Sequence, residues 1–98
     1  MLNQRKNGYR SALKADLKNA ATAIESAAVD QQGDFSAVVD PADTLPIGDV
    51  EFTATDGNVV TVASVTTTDY CIEADNSSLP GETWKFDKAT GAPVEGTC

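Results

Sequence analysis

Apolar and aromatic residues fall at Leu2, Tyr9, Leu13, Leu17, Ala20, Ile24 and Ala27, a helical spacing that draws one stripe down one face. No proline and a single glycine, Gly8, interrupt residues 2–29, and alanine, the best helix former, fills much of the rest. The pattern predicts one long helix over 2–29, stopped at Gln31-Gln32-Gly33-Asp34. At about 1.5 Å per residue such a helix is nearly as long as a small domain is wide. Part of it is therefore expected to project, or to pack against something outside the domain.

From Asp49 the period changes to two. Val50, Phe52 and Ala54 alternate with Glu51, Thr53 and Thr55, and Asp56-Gly57-Asn58 reads as a tight hairpin turn. Val59–Val65 reads as the return strand, Tyr70–Ala74 as a third strand and Thr83–Asp87 as a fourth. Residues 30–48 form a connecting loop that Phe35, Val38, Val39, Leu45 and Ile47 can anchor. A loop of that length is uncommon in a compact domain and is often functional. The elements predict a single α+β domain over 1–98: a long N-terminal helix packed on an antiparallel sheet of about four strands. The sheet and the C-terminal region occupy 49–98.

Charge adds a polarity to this layout. The net charge is −8, but the first 18 residues set Arg5, Lys6, Arg10, Lys14 and Lys18 against Asp16 alone. The remaining residues hold all the other acids against only Lys85 and Lys88. Lys6, Arg10, Lys14 and Lys18 are four apart and form a basic ridge beside the apolar stripe. A solvated surface is the plain reading of such a pattern; the sharper one is a basic end that faces an acidic partner, another copy or anionic lipid. In a bundle of such helices, Asp16 and Glu25 are the nearest acids to meet the ridge, with Asp30, Asp34, Asp40 and Asp43 outside them. The acidic body argues against nucleic acid as a partner, because phosphates would be repelled.

The two cysteines, Cys71 and Cys98, have no metal-ligand spacing, and Cys98 is the last residue. Tying down the chain end is the structural use of such a residue. A Cys71–Cys98 disulfide is therefore expected, contributing about 3–4 kcal/mol in the chain-entropy model and implying an oxidising compartment. The chain shows neither a signal peptide nor an apolar run long enough to cross a membrane. The address of an exported protein is then expected upstream of Leu2, with Met1 marking a trimmed start. Cations at a helix start oppose the macrodipole, which agrees with a helix that continues upstream.

Little in the chain suggests catalysis. There is no histidine, so the usual general base and the commonest metal ligand are missing. The serines have no activating partner, and the scattered glycines build no phosphate loop. The expectation is a non-enzyme without cofactor or metal. Asp69, Glu73, Asp75, Asn76 and Asp87 offer hard oxygens of the type that hold calcium, but without EF-hand spacing. Turn residues bonding to their own backbone are the preferred reading. Asn76-Ser77-Ser78 fits the acceptor triplet for N-glycosylation, a pattern that chance often supplies. Tyr70 and Trp84 are expected in the core rather than on a ligand platform.

The segment Leu2-Asn3-Gln4-Arg5-Lys6-Asn7-Gly8-Tyr9-Arg10-Ser11-Ala12-Leu13-Lys14-Ala15-Asp16-Leu17-Lys18-Asn19-Ala20-Ala21-Thr22-Ala23 resembles the second half of the N-terminal helix of bacterial type IV pilins. Tyr70-Cys71-Ile72-Glu73-Ala74, Trp84-Lys85-Phe86-Asp87, the Thr90-Gly91 turn and the final Gly96-Thr97-Cys98 are similar to a pilin's disulfide-bounded C-terminal region. The resemblance covers both ends; the middle matches only in layout. It implies a soluble headgroup whose leader, methylated first residue, helix glutamate and membrane-spanning half-helix precede Leu2 in the full-length protein. It further implies a structural subunit of an extracellular, cell-surface filament. Its partners would be other copies of itself and the pilus assembly machinery, with the membrane reached only through the missing segment. Arg5, Lys6, Tyr9, Arg10, Leu13 and Lys14 are the expected assembly interface. Two alternatives stand beside this reading. One is a major pseudopilin of type II secretion, which shares the helix but has a calcium site; the other is a small secreted binding module, which needs no upstream apolar helix.

Overall fold

A single helix, α1 (Leu2–Val29), lies across one face of an antiparallel sheet. The computed structural model describes the backbone of residues 2–98 and the side chains of residues 5–98. Leu2, expected at the projecting end, lies outside the residues whose side chains are described. The sheet is a five-stranded meander in the order β1 (Thr44–Leu45), β2 (Asn58–Val65), β3 (Tyr70–Asn76), β4 (Thr83–Asp87) and β5 (Val94–Glu95). The α+β class and the single long helix agree with the sequence reading; the strand inventory does not.

The helix forms because its apolar residues share one face. Leu13, Leu17, Ala20, Ala21, Ile24, Ala27 and Ala28 are buried there. They pack against Val60 and Val62 of β2, Tyr70, Ile72 and Ala74 of β3 and Phe86 of β4, in one continuous core. Leu13, Leu17, Ile24 and Ile72 are fully enclosed; each such side chain contributes about 1.5–3 kcal/mol by leaving water. Along β3, Tyr70, Ile72, Ala74 and Asn76 are buried while Glu73 and Asp75 are more open, as the two-residue pleat requires; Cys71 on the outer face is buried as well. A register shift between Val62 and Ser64 places one extra residue, Ala63, in β2.

The helix ends on a Schellman motif. The Gly33 amide donates to the Ala28 carbonyl at 2.7 Å and the Gln32 amide to the Val29 carbonyl at 3.2 Å. This geometry puts Gln32 at φ 60°, a left-handed conformation for a residue with a side chain. A 3₁₀ turn follows at Phe35–Ala37, where the Asp34 side chain accepts from the Ser36 amide at 3.0 Å. Phe35 is buried and meets the Tyr70 ring edge-on, with centroids 4.9 Å apart.

The segment 49–55 corrects the sequence reading. Its burial alternates as a strand's would, with Val50 and Phe52 inside and Glu51 and Thr53 outside, yet it pairs with no strand. β1, inside the expected loop, takes the edge of β2 instead, with Thr44 opposite Thr61 and Leu45 opposite Val60. The turn at 55–58 exists, closed by the Asn58 amide donating to the Thr55 carbonyl at 2.8 Å. Only Gly57 of its two central residues has a positive φ, 88°, so it is not the type I′ turn of a tight hairpin. β5 adds a second unexpected short strand, Trp84 facing Glu95 and Lys85 facing Val94.

Cys71 and Cys98 form the expected disulfide, with Cα atoms 6.1 Å apart. The bridge and the Cys98 amide, which donates to Glu73 Oε2 at 2.7 Å, hold the tail against the outer face of β3. The particle measures 47 × 22 × 19 Å, its long axis more than twice either of the others.

Candidate functional site

The start of α1 carries the residues expected at an assembly interface, and the structure divides them into three groups. Arg5, Lys6 and Tyr9 are exposed. Leu13, in contrast, is completely buried under the sheet and has no surface to offer another copy. This corrects its assignment to an interface, because the helix already meets its own sheet at Leu13.

Arg10 and Lys14 are engaged within the chain. Arg10 Nε donates to Glu82 Oε2 at 2.7 Å and Nη2 to Oε1 at 2.9 Å, a bidentate pair joining α1 to the residue before β4. Glu82 Oε2 also accepts from the Trp84 indole N–H at 2.9 Å. The Arg10 guanidinium first, then the Trp84 indole, with Lys6 adding a more distant positive charge, hold the Glu82 carboxyl down from the usual 4.5 to about 2. Glu82 raises the Arg10 pKa in return, mainly by accepting that hydrogen bond. The Lys14 ammonium sits 4.8 Å from the Trp84 ring centroid. The ridge is thus not one solvated line: Arg10 and Lys14 clamp the helix to β4, and Arg5 and Lys6 extend beyond the clamp. Trp84 is half-buried between them rather than a core residue, whereas Tyr70 lies in the core.

One buried constellation escaped the sequence reading. Asp16 is 3% exposed and faces inward between Leu13 and Ala20, so it does not meet the basic ridge as expected. Its Oδ2 accepts from the Thr55 amide and from Asn58 Nδ2, both at 2.8 Å, and its Oδ1 from Thr55 Oγ1 at 3.0 Å. Asn58 Oδ1 in turn accepts from Asn76 Nδ2 at 2.6 Å, and Asn76 Oδ1 from the Ser78 amide at 2.7 Å. Asp16, Asn58 and Asn76 therefore link α1, β2 and β3 through one buried polar chain. Gly57 has φ 88°, which favours glycine, and a Cβ there would press on Asn76 Nδ2 at 3.3 Å. The sequence did hold a signal: Asp16 falls at helical spacing within the apolar stripe. The same chain of bonds encloses Asn76, whose Nδ2 is committed to Asn58, and removes it as a glycosylation acceptor.

Of the residues suggested for calcium, all but Asp69 have a side-chain oxygen engaged within the chain, Asn76 as described above. Asp75 accepts from Thr83 Oγ1 at 2.7 Å, Glu73 from the Cys98 amide, and Asp87 from the Thr90 amide at 2.6 Å. The Thr90 backbone bond leads the effects that lower the Asp87 pKa. Among the described residues no group of three or more acidic or cysteine side chains is placed to hold a metal ion. Among them, too, no helix is long and apolar enough to cross a membrane.

A second buried polar group, the Tyr70 hydroxyl, has no partner within hydrogen-bond geometry among the described residues. Burial first, and the negative charge of Glu25 second, push its pKa well up. It is a core group carrying a desolvated hydroxyl near the Glu25 carboxylate.

What the surface offers is therefore charge and shape. A basic helix start stands at one end of α1, and Asp30, Asp34, Asp40 and Asp43 lie in the segment that follows its other end. Comparison with known proteins finds no matching family model, no matching curated protein and no matching solved structure.

Proposed function

We propose that this chain is the headgroup of a type IV pilin, a structural subunit of an extracellular filament. The observation that carries the reading is the division of α1. Its sheet-facing half, from Leu13 to Ala28, is buried in the chain's own core, while Arg5, Lys6 and Tyr9 before it extend exposed along an elongated particle. A helix serving only its own domain needs no such extension, because in most proteins helical stability comes from the packed face. The tail locked to the outer sheet face by Cys71–Cys98 supports the reading, since it suits a head that faces an oxidising exterior.

The test is the coding sequence upstream of Leu2 and the behaviour of its product. About 20 apolar residues after a short basic leader are expected there. The full-length protein is expected in the membrane fraction, released by detergent alone. An upstream region without an apolar segment, or a full-length product that stays in the aqueous fraction, would overturn the reading.

A further inference from the structure

One exposed flank of α1 is built of small residues. Gly8, Ala12, Ala15, Asn19, Thr22 and Ser26 follow one another at steps of three and four. The extended segment 49–56, which joins no strand, forms a wall along this flank. Between them, towards the end of the helix, lies a hollow of about 420 Å³. Its helix side is Asn19, Thr22, Ala23 and Ser26; its rim carries Asp30, Asp49 and Glu51. These three carboxylates take part in no ion pair among the described residues. At the opposite end of α1, Arg5 and Lys6 are exposed and likewise in no ion pair among the described residues.

We propose that this hollow is the seat for the start of α1 of a second copy, with Arg5, Lys6 and Tyr9 entering between α1 and Asp49–Glu51 and the two helices parallel. The proposal rests on the filament reading for its setting and gives that reading a surface. Three observations select the occupant. Two cations meet three carboxylates, which favours this register and opposes the reverse one. Small side chains on the receiving helix let a second backbone come close. The offered and receiving surfaces are also different parts of the chain, so the contact is heterologous and repeats from copy to copy instead of closing on itself. Placing Lys6 of one copy beside Ser26 of the next shifts them by about 30 Å along the helix at 1.5 Å per residue. That shift is less than the 47 Å long axis, so neighbouring heads overlap.

The experiment is zero-length carbodiimide coupling of the 98-residue chain at millimolar concentration, in low and in high salt, with the linked peptides identified by mass spectrometry. The expected result is a ladder of dimer, trimer and higher species in which Lys6 is joined to Asp30, Asp49 or Glu51. The yield should fall by at least about threefold in high salt, and equally in the Asp49→Asn, Glu51→Gln double variant. Both positions are exposed, so the variant should melt as the parent does. No oligomer, a species that stops at the dimer, or a ladder unchanged in the double variant would overturn the proposal. The same two substitutions in the full-length protein separate the two claims. Normal filaments from the variant would discard the seat and keep the pilin reading. A Lys6 ladder from a protein whose full-length form makes no filament would discard the pilin reading and keep the seat.

Discussion

Asn58 donates its side-chain amide to the Asp16 carboxylate at 2.8 Å, tying the inner face of α1 to the first residue of β2. Both residues are more than nine-tenths buried. Among the described residues no cation bonds to Asp16; its partners are the neutral Thr55 and Asn58. A buried carboxylate held only by neutral donors depends on every one of them. Asp16→Ala would strand the Asn58 side chain inside and take the acceptor from the Thr55 amide, and is expected to cost about 2–3 kcal/mol in urea unfolding. Asp16→Asn keeps an acceptor and should cost less. A loss under about 1 kcal/mol for the alanine variant would show that the network is not a structural tie.

The contrast between this network and the helix shows what the sequence makes legible. The stripe from Leu13 to Ala27 is read directly, since burial there follows periodicity and helical bonds are local. The alternation at Val50 and Phe52 likewise shows in their burial. Their pairing is not legible, because strand partners are chosen at long range: Thr44 and Leu45 occupy the β2 edge, and the Thr55 amide goes to Asp16. Arg10 looked like Lys6 in the sequence and differs from it only because β4 brings Glu82 within 2.7 Å. Periodicity exposes faces; it does not expose which polar groups meet across them.

The Arg10–Glu82 pair makes stability depend on acid. Glu82 has its folded pKa below its unfolded one, so its contribution is full above the unfolded value near 4.5 and is lost as pH falls towards about 2. Thermal melts should therefore decline between pH 4.5 and 2, and the Glu82→Gln variant should show a shallower decline over that window. Parallel declines for parent and variant would remove Glu82 as a source. Arg10→Glu, which sets two carboxylates together, should loosen the helix start from β4, so Arg5 and Lys6 are the better positions for probing assembly by charge reversal.

Gln32 holds a left-handed conformation at the end of α1 that costs an L-residue about 1–2 kcal/mol. Gln32→Gly is expected to raise unfolding stability by about 1 kcal/mol, the relief exceeding the added unfolded-state entropy. A destabilised variant would contradict the Schellman geometry.

Opening the Cys71–Cys98 bridge frees a loop with a sequence separation of 27. Replacing both cysteines by serine is expected to lower stability by about 3–4 kcal/mol, seen as a lower denaturation midpoint. The tail would detach from Glu73 while the α1–β3 core persists. Equal midpoints for bridged and unbridged chains would deny the bridge a structural role.

The central claim is that copies of this chain build a filament. The direct measurement is immunogold electron microscopy of the source cells, using antibody raised against the 98-residue chain, beside a strain lacking the gene. The account predicts gold along the whole length of surface filaments, with label and filaments both lost on deletion. Filaments that persist unlabelled, or label confined to secreted material away from any filament, would contradict it.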